Sequence, residues 1–98
     1  MSAPVWTDSE SGSTLDLGTV AAPVTVYVDR WSSHPDRWAV SVQVGTEASP
    51  CPIARSGHRA PGHPSREAAK AAGLEALSAW LRTVAEGASA AMAEGGGR

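Results

Sequence analysis

The chain reads as an α+β protein: a three-stranded antiparallel sheet, with room for a short fourth strand, and one long C-terminal helix packed on one face. Three observations lead there. Residues 24–30 alternate Val24, Val26 and Val28 with Thr25, Tyr27 and Asp29, the period-two signature of a half-buried strand. Residues 37–45 repeat it, with Trp38, Val40, Val42 and Val44 on one side and Ala39, Ser41 and Gln43 on the other. Residues 65–86 instead gather Leu74, Leu77, Trp80, Leu81 and Val84 on one stripe of a helical wheel, which suits a single sheet face.

The elements follow in order. Residues 1–13 are small and polar and read as a flexible N-terminal arm, with docking of Val5 and Trp6 as a short strand the alternative. A single domain over 14–88 follows. Residues 14–20 alternate weakly, with Leu15 and Leu17 on one side, and form the first strand of a meander. Ser32-Ser33-His34-Pro35-Asp36 supplies the turn that makes 24–30 and 37–45 a hairpin. Residues 46–64, with Pro50, Pro52, Pro61 and Pro64, read as a long loop, in which Ile53–Ser56 suits an edge strand. Pro64 or Ser65 opens the helix, and Glu67 sits in its first turn, where the helix dipole favours an anion. Gly73 inside the apolar stripe suggests close approach to the sheet. Gly87 weakens the helix, and 89–98 reads as a flexible tail, with extension of the helix through Ala88–Glu94 the alternative. The expected core is Val24, Val26, Val28, Trp38, Val40, Val42 and Val44 against Leu74, Leu77, Trp80, Leu81 and Val84.

Composition narrows the function. The chain has 98 residues, and although 42% are hydrophobic, 18 of those are Ala. Val, Leu and Ile number only 15 and Phe is absent, so Trp and Tyr carry much of the core. No apolar run is long enough for a membrane span. The one cysteine, Cys51, forms no internal disulfide, and the first residues show no signal-peptide pattern. Both point to the cytoplasm.

The net charge of −2 is unevenly spread. Residues 1–29 sum to −4, whereas residues 30–82 carry seven Arg and Lys against four acids. The basic stretch is densest where Arg55, His58, Arg59, His63, Arg66 and Lys70 run from the loop into the helix. Such cations suit phosphates, while the sequence pI of about 5.8 argues for an ordinary solvated loop. Trp31 and Trp38 flank a turn with Arg30 and Arg37. Trp38 belongs to the valine face and reads as core; Trp31 is the freer of the two and a candidate to grip a partner.

Cys51, His58 and His63 have C-x6-H-x4-H spacing, unlike the short paired spacings of structural zinc sites, so no metal or cofactor is expected. Cys51 with His58 as base and Asp36 as orienter is a conceivable nucleophile arrangement, but no motif surrounds Cys51, and no catalytic residue is assigned.

The segments Trp38-Ala39-Val40-Ser41-Val42, Ser65-Arg66-Glu67-Ala68-Ala69 and Glu75-Ala76-Leu77 give a strand–strand–strand–helix order over residues 24–82. That order resembles the N-terminal domain of HicB-like antitoxins. It also resembles the three-stranded DNA-reading module of AP2-like and phage-integrase arm domains, a resemblance that implies sheet Trp and Arg meeting a major groove.

The function expected is a non-catalytic interaction module that binds a protein partner or a second copy of itself. The uncovered sheet face, with Thr25, Tyr27, Ser41 and Gln43, is the expected contact surface. Nucleic-acid binding through the Arg/His-rich loop and the sheet arginines is the alternative. The residues expected to bind are Tyr27, Arg30, Trp31, Arg37, Arg55, His58, Arg59 and Arg66. No membrane role is expected.

Overall fold

The computed structural model describes residues 4–17, 23–46 and 48–95. Five antiparallel strands follow one another in space as in sequence: β1 (Thr7–Asp8), β2 (Gly12–Asp16), β3 (Val24–Arg30), β4 (Trp38–Val44) and β5 (Cys51–Ser56). A single helix, α1 (Arg66–Gly95), lies across one face. No helix among the described residues is long and apolar enough to cross a membrane.

The central hairpin is the one the alternation predicts. β3 and β4 pair along their whole length, from Val24 opposite Val44 to Arg30 opposite Trp38. This register sets Val26 beside Val42 and Val28 beside Val40, and all four side chains are fully buried under α1. Tyr27 and Ser41 consequently rise on the other face.

The sheet is wider than the three strands expected. Part of the 1–13 segment is strand: Thr7 and Asp8 pair with Thr14 and Ser13, and Trp6 packs against the core. A turn closes this hairpin, with the Ser9 amide donating to the Gly12 carbonyl at 2.8 Å. β2 runs over 12–16 where 14–20 was expected, and residues 18–20 lie outside the described residues. Within 46–64, β5 begins at Cys51, two residues before the expected edge strand. Pro52 fits there because β5 pairs on one side only. A bulge between Val42 and Gln43 leaves Ile53 without a directly opposite residue.

Ser65 caps α1, its hydroxyl accepting from the Ala68 amide at 3.0 Å. Ala69, Gly73 and Leu77 face the sheet and are buried, with Trp80 half-buried beyond them. Gly73 sits so close that a Cβ there would lie 2.6 Å from a Val40 methyl and 2.8 Å from a Val26 methyl. The helix continues through Gly87 to Gly95 rather than ending near residue 86. The alanines at 85, 88, 90, 91 and 93 have the highest helix propensity of any residue and carry it across. The expected core is corrected at its outer end. Leu81 and Val84 are exposed because the sheet ends before the stripe does, and Leu74, 39% exposed beside buried Gly73 and Leu77, lies on the flank of the stripe.

An ionic cluster ties the N-terminal hairpin to α1. Arg66 donates to the Gly12 carbonyl and the Ser13 hydroxyl at 2.8 and 2.9 Å, and its guanidinium stacks 4.7 Å from the Trp38 ring centre. Lys70 reaches Asp8 at 3.0 Å and lies 4.9 Å from the Trp6 ring centre. The hydrogen bond from Ser13, then that from Lys70, holds the Asp8 carboxyl below its ordinary value. A carboxylate so held contributes stability above the ordinary range, and loses it as pH falls through its lowered pKa. Thermal melts should therefore show a midpoint falling below about pH 4, and Asp8→Asn should flatten that fall. An unchanged acid limb in the variant would assign the acid sensitivity elsewhere.

Candidate functional site

With one helix on one face, no helix or strand among the described residues packs on the other, where Thr25 and Ala39 are nonetheless buried. Register places its side chains in cross-strand rows. Thr14, Tyr27, Ser41 and Arg55 form one row across β2, β3, β4 and β5. Asp29 and Ala39 form the next row toward the β3–β4 turn, and Thr25 and Gln43 the row on the far side. Asp16 stands beside Thr25, whose hydroxyl donates to it at 3.3 Å. Adjacent strands lie about 4.8 Å apart, so Tyr27 and Arg55 are separated by about 10 Å at the backbone.

Two shallow hollows adjoin the turn end of this face. One, of about 440 Å³, is lined by Arg55, Ser56, Gly57, His58 and Arg59. The other, of about 420 Å³, runs from Asp29 past Ala39 to Ser32 and Ser33, with Arg30 and Trp31 on its wall. His58 lines both. Partial burial, followed by the nearby Arg55 charge, holds the His58 imidazole below its ordinary pKa, against the opposing pull of Asp29. Among the described residues neither Arg55 nor Arg59 enters an ion pair.

Trp31 is what fixes this corner. Its indole N–H donates to the Gly57 carbonyl at 2.8 Å. Its ring meets His34 edge-on at 5.9 Å between centres and lies against Gly62. Gly57 adopts φ of 79°, a conformation open to glycine at little cost. The indole thus joins the β3–β4 turn to the loop that carries His58 and Arg59. Trp31→Phe, which removes the donor and part of the ring packed on Gly62, should cost at least about 1 kcal/mol, read as a lower urea midpoint. A midpoint equal to wild type would mean that the indole hydrogen bond contributes nothing to stability.

The eight candidate binding residues are therefore divided. Tyr27, Arg55, His58 and Arg59 are brought to the open face or its turn end, with Arg30 on the rim of the adjoining hollow. Trp31 is held beneath them as a strut. Arg37 lies in the β3–β4 turn, its carbonyl accepting from the Trp31 amide. Arg66 is on the opposite side, committed to Trp38 and the β2 backbone.

Cys51 and His58 are not brought together. The six residues of β5 separate them by about 20 Å of extended chain. Cys51 is an exposed free thiol, and among the described residues no three metal-ligating side chains converge. The Ser56 hydroxyl and the His63 Nε2 lie 2.8 Å apart, a pairing that sequence spacing did not single out. Among the described residues no carboxylate bonds His63 to complete a triad.

A second surface is the far half of α1. Every residue from Leu81 to Glu94 is exposed. Leu81, Val84 and Met92 are 51%, 50% and 68% exposed. On the wheel these three, with Ala88 and Ala91, span an arc of about 100° that continues the buried stripe, while Arg82 and Glu86 lie on the far side. The contrast between two glycines locates the edge of the sheet. A Cβ at Gly73 would collide with the sheet, whereas one at Gly87, on nearly the same side and about 21 Å further along, would meet nothing within 4 Å. At the base of this overhang a groove of about 400 Å³ is lined by Leu17, Val24, Leu74, Leu77, Ser78 and Leu81. The sequence pattern contains the stripe; only the extent of the sheet reveals that half of it is uncovered.

Comparison with protein families, curated proteins and solved structures finds no match to this chain.

Proposed function

We propose that the protein is a non-catalytic interaction module that pairs with a second copy of itself through the far half of α1. The observation that carries this reading is the apolar stripe of Leu81, Val84 and Met92, exposed beyond the edge of the sheet. An isolated helical stretch of about 15 residues is marginal in water, so such a segment gains most of its stability from packing. The chain also carries a surface that suits the stripe, in the groove between Leu17, Val24, Leu74 and Leu81. Stripe and groove on one chain are satisfied together by a two-fold axis, each overhang lying in the other copy's groove. Glu75, Arg82 and Glu86 lie away from the stripe, so no charge interrupts the apolar run of Leu81, Val84 and Met92. A cytoplasmic setting accords with the exposed lone thiol of Cys51.

Sedimentation equilibrium over a wide concentration range is the test. The expected result is a mass rising from the 10.0 kDa of one chain to twice that value. A single-chain mass at every concentration would refute the pairing.

A further inference from the structure

The geometry points to a second binding site, on the open sheet face, that takes a single-stranded nucleic acid. It lies on the opposite side of the sheet from α1 and does not depend on pairing of the helices. Two kinds of group meet there. Tyr27 presents a half-buried ring in the middle of the face, flanked in its row by the hydroxyls of Thr14 and Ser41. The same row ends at Arg55, and the hollow beyond it adds His58 and Arg59.

Charge selects the ligand. Arg55 and Arg59 have no carboxylate partner among the described residues, and each is exposed. Arg55 and His58 are close enough for one charge to depress protonation of the other, a repulsion that a phosphate placed between them relieves. Of the acids on this face, Asp16 stands at the far end beside Thr25, and Asp29 lies on the other side of His58 from Arg55's hollow. Positive charge is therefore concentrated toward β5 and the loop after it. An aromatic ring one strand-pair away from guanidinium groups, on a flat and open surface, fits a base stacked on Tyr27 with its phosphates drawn to Arg55 and Arg59. At the turn end of the face the Trp31 indole ties the loop that carries His58 and Arg59 to the β3–β4 turn. A duplex has no splayed base to offer Tyr27.

Fluorescence anisotropy of short fluorescein-labelled oligo-U and oligo-dT, titrated with the full chain at low salt, is the experiment. Saturable binding is expected, weakening with salt at a log–log slope of about −2, as for two to three phosphates on a single strand. Tyr27→Leu should weaken it about tenfold without changing that slope. Arg55→Gln with Arg59→Gln should weaken it and flatten the slope, while Arg55→Lys with Arg59→Lys should restore the slope. Thermal melts of each variant check that the fold is kept. Val84→Glu with Met92→Glu should bind the strand like wild type, so failure of the helix pairing and failure of this site are distinguishable. The proposal is overturned by any of three results: no saturable binding at low salt, equal affinity for a duplex or a free mononucleotide, or full affinity in both the tyrosine and the arginine-to-glutamine variants.

Discussion

Gly73→Val is expected to be strongly destabilising, lowering stability by about 2 kcal/mol and the thermal midpoint by about 10 °C. The reason is steric. Even the first carbon of any side chain at this position would lie 2.6 Å from a Val40 methyl and 2.8 Å from a Val26 methyl. Both valines are fully buried and β-branched, so neither has a free rotamer to turn into. The helix must therefore lift, and lifting uncovers the packing of Ala69 and Leu77 against the sheet. Gly73→Ala isolates the contact from helix propensity. Alanine should gain about 1 kcal/mol as a helix former, yet the close approach should cancel or reverse it. Gly87→Ala supplies the opposite sign. Nothing lies within 4 Å of a Cβ there, so only the propensity gain remains. Urea melts followed by far-UV circular dichroism compare the three. Equal stabilisation at both positions would mean that α1 does not approach the sheet as closely as described.

The second large effect is on association. Val84→Glu with Met92→Glu should weaken pairing about a thousandfold, close to 4 kcal/mol per pair. Each side chain is at least half exposed in the single chain, and reburying one contributes about 1 kcal/mol. A two-fold interface counts every substitution twice, so two positions remove four such contributions. Glutamate preserves helix propensity, and both positions are exposed and line no groove, so the single-chain fold should be unaffected. The measurement is the midpoint of the mass transition in sedimentation. A transition unmoved by the double variant would place any association on another surface.

How much of this was legible in the sequence differs by element. β3 and β4 were, because three valines at period two in each put one face of the hairpin against a core, and the valine faces are the ones that α1 covers. Tyr27 and Ser41 consequently had to share the open face. The β1–β2 hairpin was legible only in part, as a strand at Leu15 and as the alternative that Val5 and Trp6 dock. Of the two large apolar residues there, Val5 is exposed and Trp6 packs on the core, and the contacts that tie the hairpin down come from Arg66 and Lys70, more than fifty positions away. β5 was legible only in part, since Pro52 interrupts its pattern and the bulge at Ile53 breaks the alternation. The apolar stripe of α1 was visible, but periodicity reports a direction around the helix and not the length of surface opposite it. Leu81 and Val84 were thus assigned to a core that ends at Trp80. Trp31 shows the same limit at the candidate site. Its setting between Arg30 and a turn suggested a free aromatic, whereas a glycine carbonyl 26 residues further on takes its N–H.

The pairing of α1 is tested most directly by amide hydrogen exchange at residues 82–94, measured on dilute and on concentrated protein. In the single chain this segment packs against nothing and should exchange far faster than β3 and β4, which stay protected. The account requires protection of 82–94 to rise with concentration, in step with the mass, and to vanish in Val84→Glu with Met92→Glu. Exchange that is equally fast at every concentration would contradict it.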